Sequence, residues 1–219
     1  TIAIGGTNLF ASYVLPPLLS RFTEQYPQVQ VNLVEATTSQ LTDRLFSGSL
    51  DLLIDNKSMD PAIYQKSFFC EEHLLLAVPI RLSVNEKMKN YALTASDIRE
   101  NRHLNSRIPP VPLENFQEES FLLLKSGNDT RTRADRICHN AHVIPKIKLE
   151  LDQQITAYNL SRYGMGISFC SDTLVRHVPD DEGLVYYKLN HQDALREVNF
   201  YYKRNRYMPR IVSTFLDMI

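Results

Sequence analysis

The chain has 219 residues, 43% of them hydrophobic and 22% charged, with a formal net charge of −1. That length fits one large α/β domain or two small lobes, and the near-neutral balance argues against a nucleic-acid surface within the chain. No apolar run is long enough to span a bilayer, and three widely spaced cysteines (Cys70, Cys138, Cys170) without a C-x-x-C argue against a disulfide framework. They read as buried small hydrophobes in a reducing compartment.

Residues 2–5 read as a short strand running into Gly5-Gly6-Thr7-Asn8, with no signal peptide ahead of it, although processing could have removed a leader. Val14, Leu15, Leu18, Leu19 and Phe22 then form one helical stripe. Pro16 and Pro17 fit the first turn, so the helix is expected to begin near Leu15. Thr7 and Asn8 fall in the loop before it, where turn chemistry and a ligand contact are equally open readings. Residues 27–54 give strand, helix, strand: Val29, Val31 and Leu33 alternate, Leu41, Leu45 and Phe46 have helical spacing, Gly48 ends the helix and Leu50–Ile54 resumes a strand. Thr37, Thr38 and Ser39 stand at the start of that helix. One hydroxyl suffices as a cap, so three in a row favour a ligand role. Asp51 opens the third strand and Asp55-Asn56 closes it, as turn formers or contacts alike.

Residues 66–79 read as strand, turn and strand, with Glu71-Glu72 making the turn and His73 structural. Residues 80–118 lack periodicity and hold Pro109, Pro110 and Pro112. They are expected to form an arm on the second lobe, with a short helix near Ala95–Glu100. A strand at 120–125 leads into Ser126-Gly127-Asn128-Asp129-Thr130, repeating the loop-to-helix logic, and a helix buries Ala134, Ile137, Cys138 and Ala141. Its Arg131, Arg133 and Arg136 suit a solvated face or subunit contact better than an anion site. His139 and His142 lack further ligands, so no metal site is expected. A strand at 147–151 and a helix from about Asp152 to Tyr163 follow. Gly164-Met165-Gly166 then turns into a strand at 167–170, which is no dinucleotide fingerprint because it follows a helix. Ser171-Asp172 suits a helix start. A strand at 184–189 follows, and a last strand at 197–203 with a helix from Pro209 to Ile219 is expected to return to the first lobe, making two crossover strands that act as a hinge.

A shift of 118 residues carries Pro27 onto Pro145, Val29 onto Ile147, Val31 onto Leu149, Leu33 onto Leu151 and Gly48 onto Gly166. Each half therefore reads βαβαβ, and two such lobes would face each other across a cleft. Ligands of open α/β sheets sit beyond the carboxyl ends of the strands, near helix N-termini.

These residues resemble the effector-binding domain of LysR-type transcriptional regulators over nearly the whole chain. The resemblance is carried by the order and spacing of IAIGG, VLPPLLSRFTEQYPQVQVNLVE, TSQLTDRLFSGSLDLLI, EEHLLLAVP, FLLLKSG and RYGMGISF. It implies two Rossmann-like subdomains with a cleft between them, similar to type 2 periplasmic binding proteins: 1–79 with 191–219 as subdomain I, and 80–190 as subdomain II. It implies a small, often anionic effector in that cleft and no cofactor. Thr38 lies where the family places a ligand-contacting hydroxyl, thirteen residues before Asp51. Thr7 and Asn8 lie in the first contact loop, Thr37 and Ser39 flank Thr38, and Ser126 and Asn128 would face them from the second lobe. It further implies a homodimer or homotetramer, a cytoplasmic location, and DNA contact only through an N-terminal winged helix-turn-helix that this sequence does not contain. Ser171 departs from the family's pattern, which commonly has proline there. A solute-binding protein of a transport system would share the fold. An enzyme is disfavoured, with no nucleophile elbow, zinc spacing or oriented Cys/His pair.

Overall fold

The computed structural model describes residues 1–179 and 182–219. It divides into two compact units, Thr1–Glu71 with Glu197–Ile219, and Glu72–Arg196.

Unit 1 is built on β1 (Ile2–Gly6), β2 (Val31–Glu35) and β3 (Leu52–Asp55), with β1 in the middle and parallel to both neighbours. The three carboxyl ends therefore lie side by side: Gly6 is level with Glu35 on one flank and with Ile54 on the other. A π-helical turn at Phe10–Val14 leads into α1 (Leu15–Gln25), whose first turn holds the two prolines, where their missing N–H groups cost nothing. The helix α2 (Thr38–Ser47) ends at Gly48, whose φ of 82° is open to glycine and strained for other L-residues. Asp51 then clasps β1, its carboxylate accepting the Ala3 N–H at 2.9 Å. On one face Ile2, Ile4, Leu52, Ile54, Val198 and Phe200 pack with Phe22 and Phe215; on the other Leu41, Leu45, Leu50, Leu53, Tyr64 and Tyr201 form a second layer. Each such fully buried side chain contributes about 1.5–3 kcal/mol.

The chain continues through β4 (Tyr64–Pro79), a single strand of 16 residues. The expected turn at Glu71-Glu72 is corrected here. Two adjacent glutamates suggest a solvent-facing bend, but Glu72 is fully buried against the guanidinium of Arg196, so the strand runs straight through. Residues Leu74–Pro79 ladder with other strands of unit 2. The stretch from 80 to 118 carries the expected short helix as α4 (Ala95–Arg99), and it holds in addition α3 (Val84–Lys87) and three 3-10 turns, burying Val84, Met88, Val111, Leu113 and Phe116. The additional elements are too short to show a period in the sequence.

The second βαβαβ then follows as β5 (Ser120–Leu124), α5 (Asp129–Asn140), β6 (Lys146–Leu151), α6 (Gln154–Arg162) and β7 (Ile167–Ser171). Here β5 is central and parallel to β6 and β7, while β4 runs antiparallel to β7. Gly166 is required by this packing, because a Cβ there would stand 2.8 Å from the Ser120 carbonyl oxygen. After α7 (Asp172–His177) and β8 (Leu184–Lys188), the strand β9 (Leu195–Lys203) re-enters unit 1 antiparallel to β3, and α8 (Arg210–Met218) covers the Phe200 face. Among the described residues no helix is long and apolar enough to cross a membrane.

Candidate functional site

In unit 1 the predicted residues gather at the carboxyl edge of β1, β2 and β3. Thr7 and Asn8 leave β1 half-buried, and the Asn8 amide donates to Glu35 Oε1 at 2.9 Å, joining the ends of β1 and β2. Thr37 is the N-cap of α2 in a reciprocal box: its hydroxyl accepts the Gln40 N–H, and the Gln40 side chain accepts the Thr37 N–H. Thr38 donates its hydroxyl proton to Asp55 Oδ2 at 2.9 Å, tying the helix to the end of β3. Ser39 is exposed.

This pattern decides what each hydroxyl can offer a ligand. Thr37 and Thr38 have both committed their single protons, to Gln40 and Asp55. Toward a ligand Thr38 therefore presents lone pairs only. Asp55 is 1% exposed, and the adjacent ladder position on β9 is Asn199, also buried. Asn199 donates to Glu197 and to the Tyr201 hydroxyl, while its Oδ1 is buried and meets no protein donor. Unit 1 thus groups two acceptors at this edge, Thr38 Oγ1 and the buried Asn199 Oδ1, beside an Asp55 carboxylate already engaged by Thr38 and the Lys57 N–H. Sequence reading missed Asn199, because only the β3–β9 register brings it level with Asp55.

In unit 2 Ser126 and Asn128 leave the end of β5. Asn128 is the N-cap of α5, accepting the Thr130 N–H at 2.8 Å, and Ser126 is exposed. Gln154, at the start of α6, accepts both the backbone N–H and the hydroxyl of Ser171 at 3.0 Å, so Ser171 closes β7 and caps α7. The arginines of α5 are consumed by ion pairs. Arg131 reaches Asp135 and Glu150, Arg133 reaches Asp129, and Arg136 lies 3.6 Å from Asp193.

Beneath the first turn of α5 lies Arg196, fully buried. Its Nε donates to Glu72 at 2.6 Å and its Nη1 to Asp129 at 3.1 Å and to the Thr130 hydroxyl at 2.9 Å, while Nη2 meets no acceptor. Removing one member of such a pair strands a buried charge, at about 3–5 kcal/mol. The anchor links the last and first residues of unit 2 to the helix that carries Asn128. Nothing local in the sequence announces it, since its partners lie 124 and 67 residues apart along the chain. Two of the cysteines are unreactive thiols: burial pushes Cys138 up to about 12 and raises Cys170 as well.

A family model described as "LysR substrate binding domain" matches residues 1–219. An uncharacterized HTH-type transcriptional regulator of Bacillus subtilis (strain 168), YcgK, is 25% identical over 217 residues, covering 99% of this chain and 65% of that protein. The chain spans about two-thirds of the length of the curated relatives it matches, 64–66% of each of three. Among solved structures, the regulatory domain of Synechocystis PCC6803 CcmR in complex with 2-PG superposes with a TM-score of 0.80 at 19% identity, covering 99% of this chain and 93% of that one. The BenM effector-binding domain with its effector benzoate gives 0.72 at 21%, covering 99% and 89%.

Proposed function

Because this chain belongs to the LysR substrate-binding domain family, we propose that it is the effector-sensing part of a LysR-type transcriptional regulator, recognising a small metabolite and transmitting that binding to transcription. The observation that carries this reading is the polar carboxyl edge of each βαβαβ unit, where side chains and helix starts converge as ligand sites of open α/β sheets require. In unit 1 the proposed contacts are Thr7, Asn8, Thr37, Thr38 and Ser39; in unit 2 they are Ser126 and Asn128.

The acceptors at the unit 1 edge favour an effector that brings a hydroxyl or N–H there, and an acidic group would be met by the backbone N–H groups of a helix start. The 2-PG in complex with CcmR and the benzoate effector of BenM are small acids and give a starting chemistry. The greater length of the relatives, named as HTH-type regulators, supports a helix-turn-helix module elsewhere in a longer protein and DNA contact through it. A homodimer or homotetramer, a cytoplasmic location and the absence of catalysis accompany this reading. A transport solute-binding protein shares the fold, but relatives named as regulators favour the first reading.

Calorimetry of the chain against a panel of small organic acids, with 2-PG and benzoate first, tests the assignment. Thr38→Val removes the hydroxyl while keeping the side-chain shape. It is expected to weaken the best binder by roughly tenfold, the worth of one hydrogen bond to a polar ligand group. Unchanged affinity in a variant with native circular dichroism would remove Thr38 from the site.

A further inference from the structure

One cluster in unit 2 is used neither by the effector contacts nor by the core. His73 lies on β4, His103 in the 3-10 turn Arg102–Leu104, and Asp172 is the first residue of α7. Asp172 Oδ2 is 3.3 Å from His73 Nδ1 and 2.9 Å from His103 Nε2, and Asp172 Oδ1 accepts the His73 backbone N–H at 2.9 Å. One ligand atom from each of the three side chains lies within 4.8 Å of the others. Around a tetrahedral zinc ion with bonds of about 2.0–2.2 Å, donor atoms stand roughly 3.3–3.6 Å apart. Two edges of the triangle already have nearly that length.

Burial suits the same reading. The side chains of Asp172 and His103 are 4% and 1% exposed, whereas His73 is 32% exposed and offers a route from solvent. His103 Nδ1 is buried without a hydrogen-bond partner. One cation opposes an ion: Arg176 Nη2, 3.4 Å from Asp172 Oδ2. That is the longest contact to this oxygen, and the arginine side chain is 29% exposed, free to turn outward.

We propose that His73 Nδ1, His103 Nε2 and Asp172 Oδ2 form a binding site for one divalent transition-metal ion of the zinc class, with a further position open to water. Two imidazoles and one carboxylate suit zinc, cobalt or nickel, whereas magnesium and calcium favour all-oxygen shells. The ligating His103 has no outer acceptor for its other ring nitrogen, so the affinity is expected to fall roughly 10- to 100-fold below that of a site with a complete outer shell. The ion would fasten β4, the 102–104 turn and α7 together, fixing the 80–118 excursion on its sheet.

The test is titration of the chelator-treated 219-residue chain with zinc chloride by calorimetry and with cobalt chloride by visible absorption, at about pH 7.5. One ion per chain is expected, with cobalt bands of four- or five-coordination. His73→Ala, at a partly exposed position that leaves the core intact, is expected to abolish the site, exceeding the roughly 10- to 100-fold loss typical of outer-shell changes. Arg176→Gln is expected to tighten binding by removing the opposing charge, a gain that a purely structural cluster would not produce. The double variant His139→Ala/His142→Ala is expected to bind as wild type does. No stoichiometric ion in the wild type, or binding that survives His73→Ala, overturns the proposal, as does binding lost only in the His139/His142 variant.

Discussion

Asp172 shows how a single residue is set by opposing effects. Burial by itself raises its carboxyl, but hydrogen bonds from the His103 and His73 rings and from the His73 backbone N–H outweigh it and hold it well below the usual carboxylate range. A depressed folded-state value means that the unfolded chain takes up the proton first as pH falls. Its stabilisation is therefore complete above the ordinary aspartate range and is lost as pH drops through that range toward the folded value. In metal-free buffer, Asp172→Asn is expected to cost about 2–3 kcal/mol at pH 7 and to flatten the acid limb between about pH 5 and pH 2. Urea midpoints at several pH values would measure this, and an acid limb as steep as wild type would remove Asp172 as its source.

In helix α2 the cap falls on one residue of a three-residue hydroxyl run and the tie to β3 on the next. Thr37 sits at the N-cap and exchanges hydrogen bonds with Gln40, so Thr37→Ala is expected to lower stability by about 1 kcal/mol. Chemical denaturation reads that loss, and the same variant should bind effector less changed than Thr38→Val. This element was legible in the sequence from Leu41, Leu45 and Gly48, as were β1 and β2, α1 and the whole second βαβαβ, because each carries its own period and its own stop. The three hydroxyls were legible as a group, but which one caps and which one reaches Asp55 was not, since that depends on where β3 ends beside α2. The Glu71-Glu72 bend was misread for the same reason: a buried partner far along the chain turned a local turn signal into continuous strand. Within 80–118 the helix near Ala95–Glu100 was legible and is α4, while the four-residue α3 escaped because so few residues cannot display a face.

At the scale of the whole molecule, β4 and β9 each contribute residues to both units, with Tyr64 and Leu74–Val78 on the first and Arg196 and Phe200 on the second. Melting either strand strips both cores, so unfolding is expected as one transition. With no tryptophan and 11 tyrosines, tyrosine fluorescence and far-ultraviolet circular dichroism should give coincident urea curves, and two separated midpoints would show the units to be independent. The buried pair of Glu72 and Arg196 adds a constraint on descent. A buried carboxylate that loses its guanidinium partner costs several kcal/mol, so a lineage that loses the arginine is expected to lose the acid soon after, most simply by exchanging both for apolar residues. Among relatives the two positions should therefore change together, and a sequence with an acid at the first and no cation at the second would mark a chain whose strands cross in a different way.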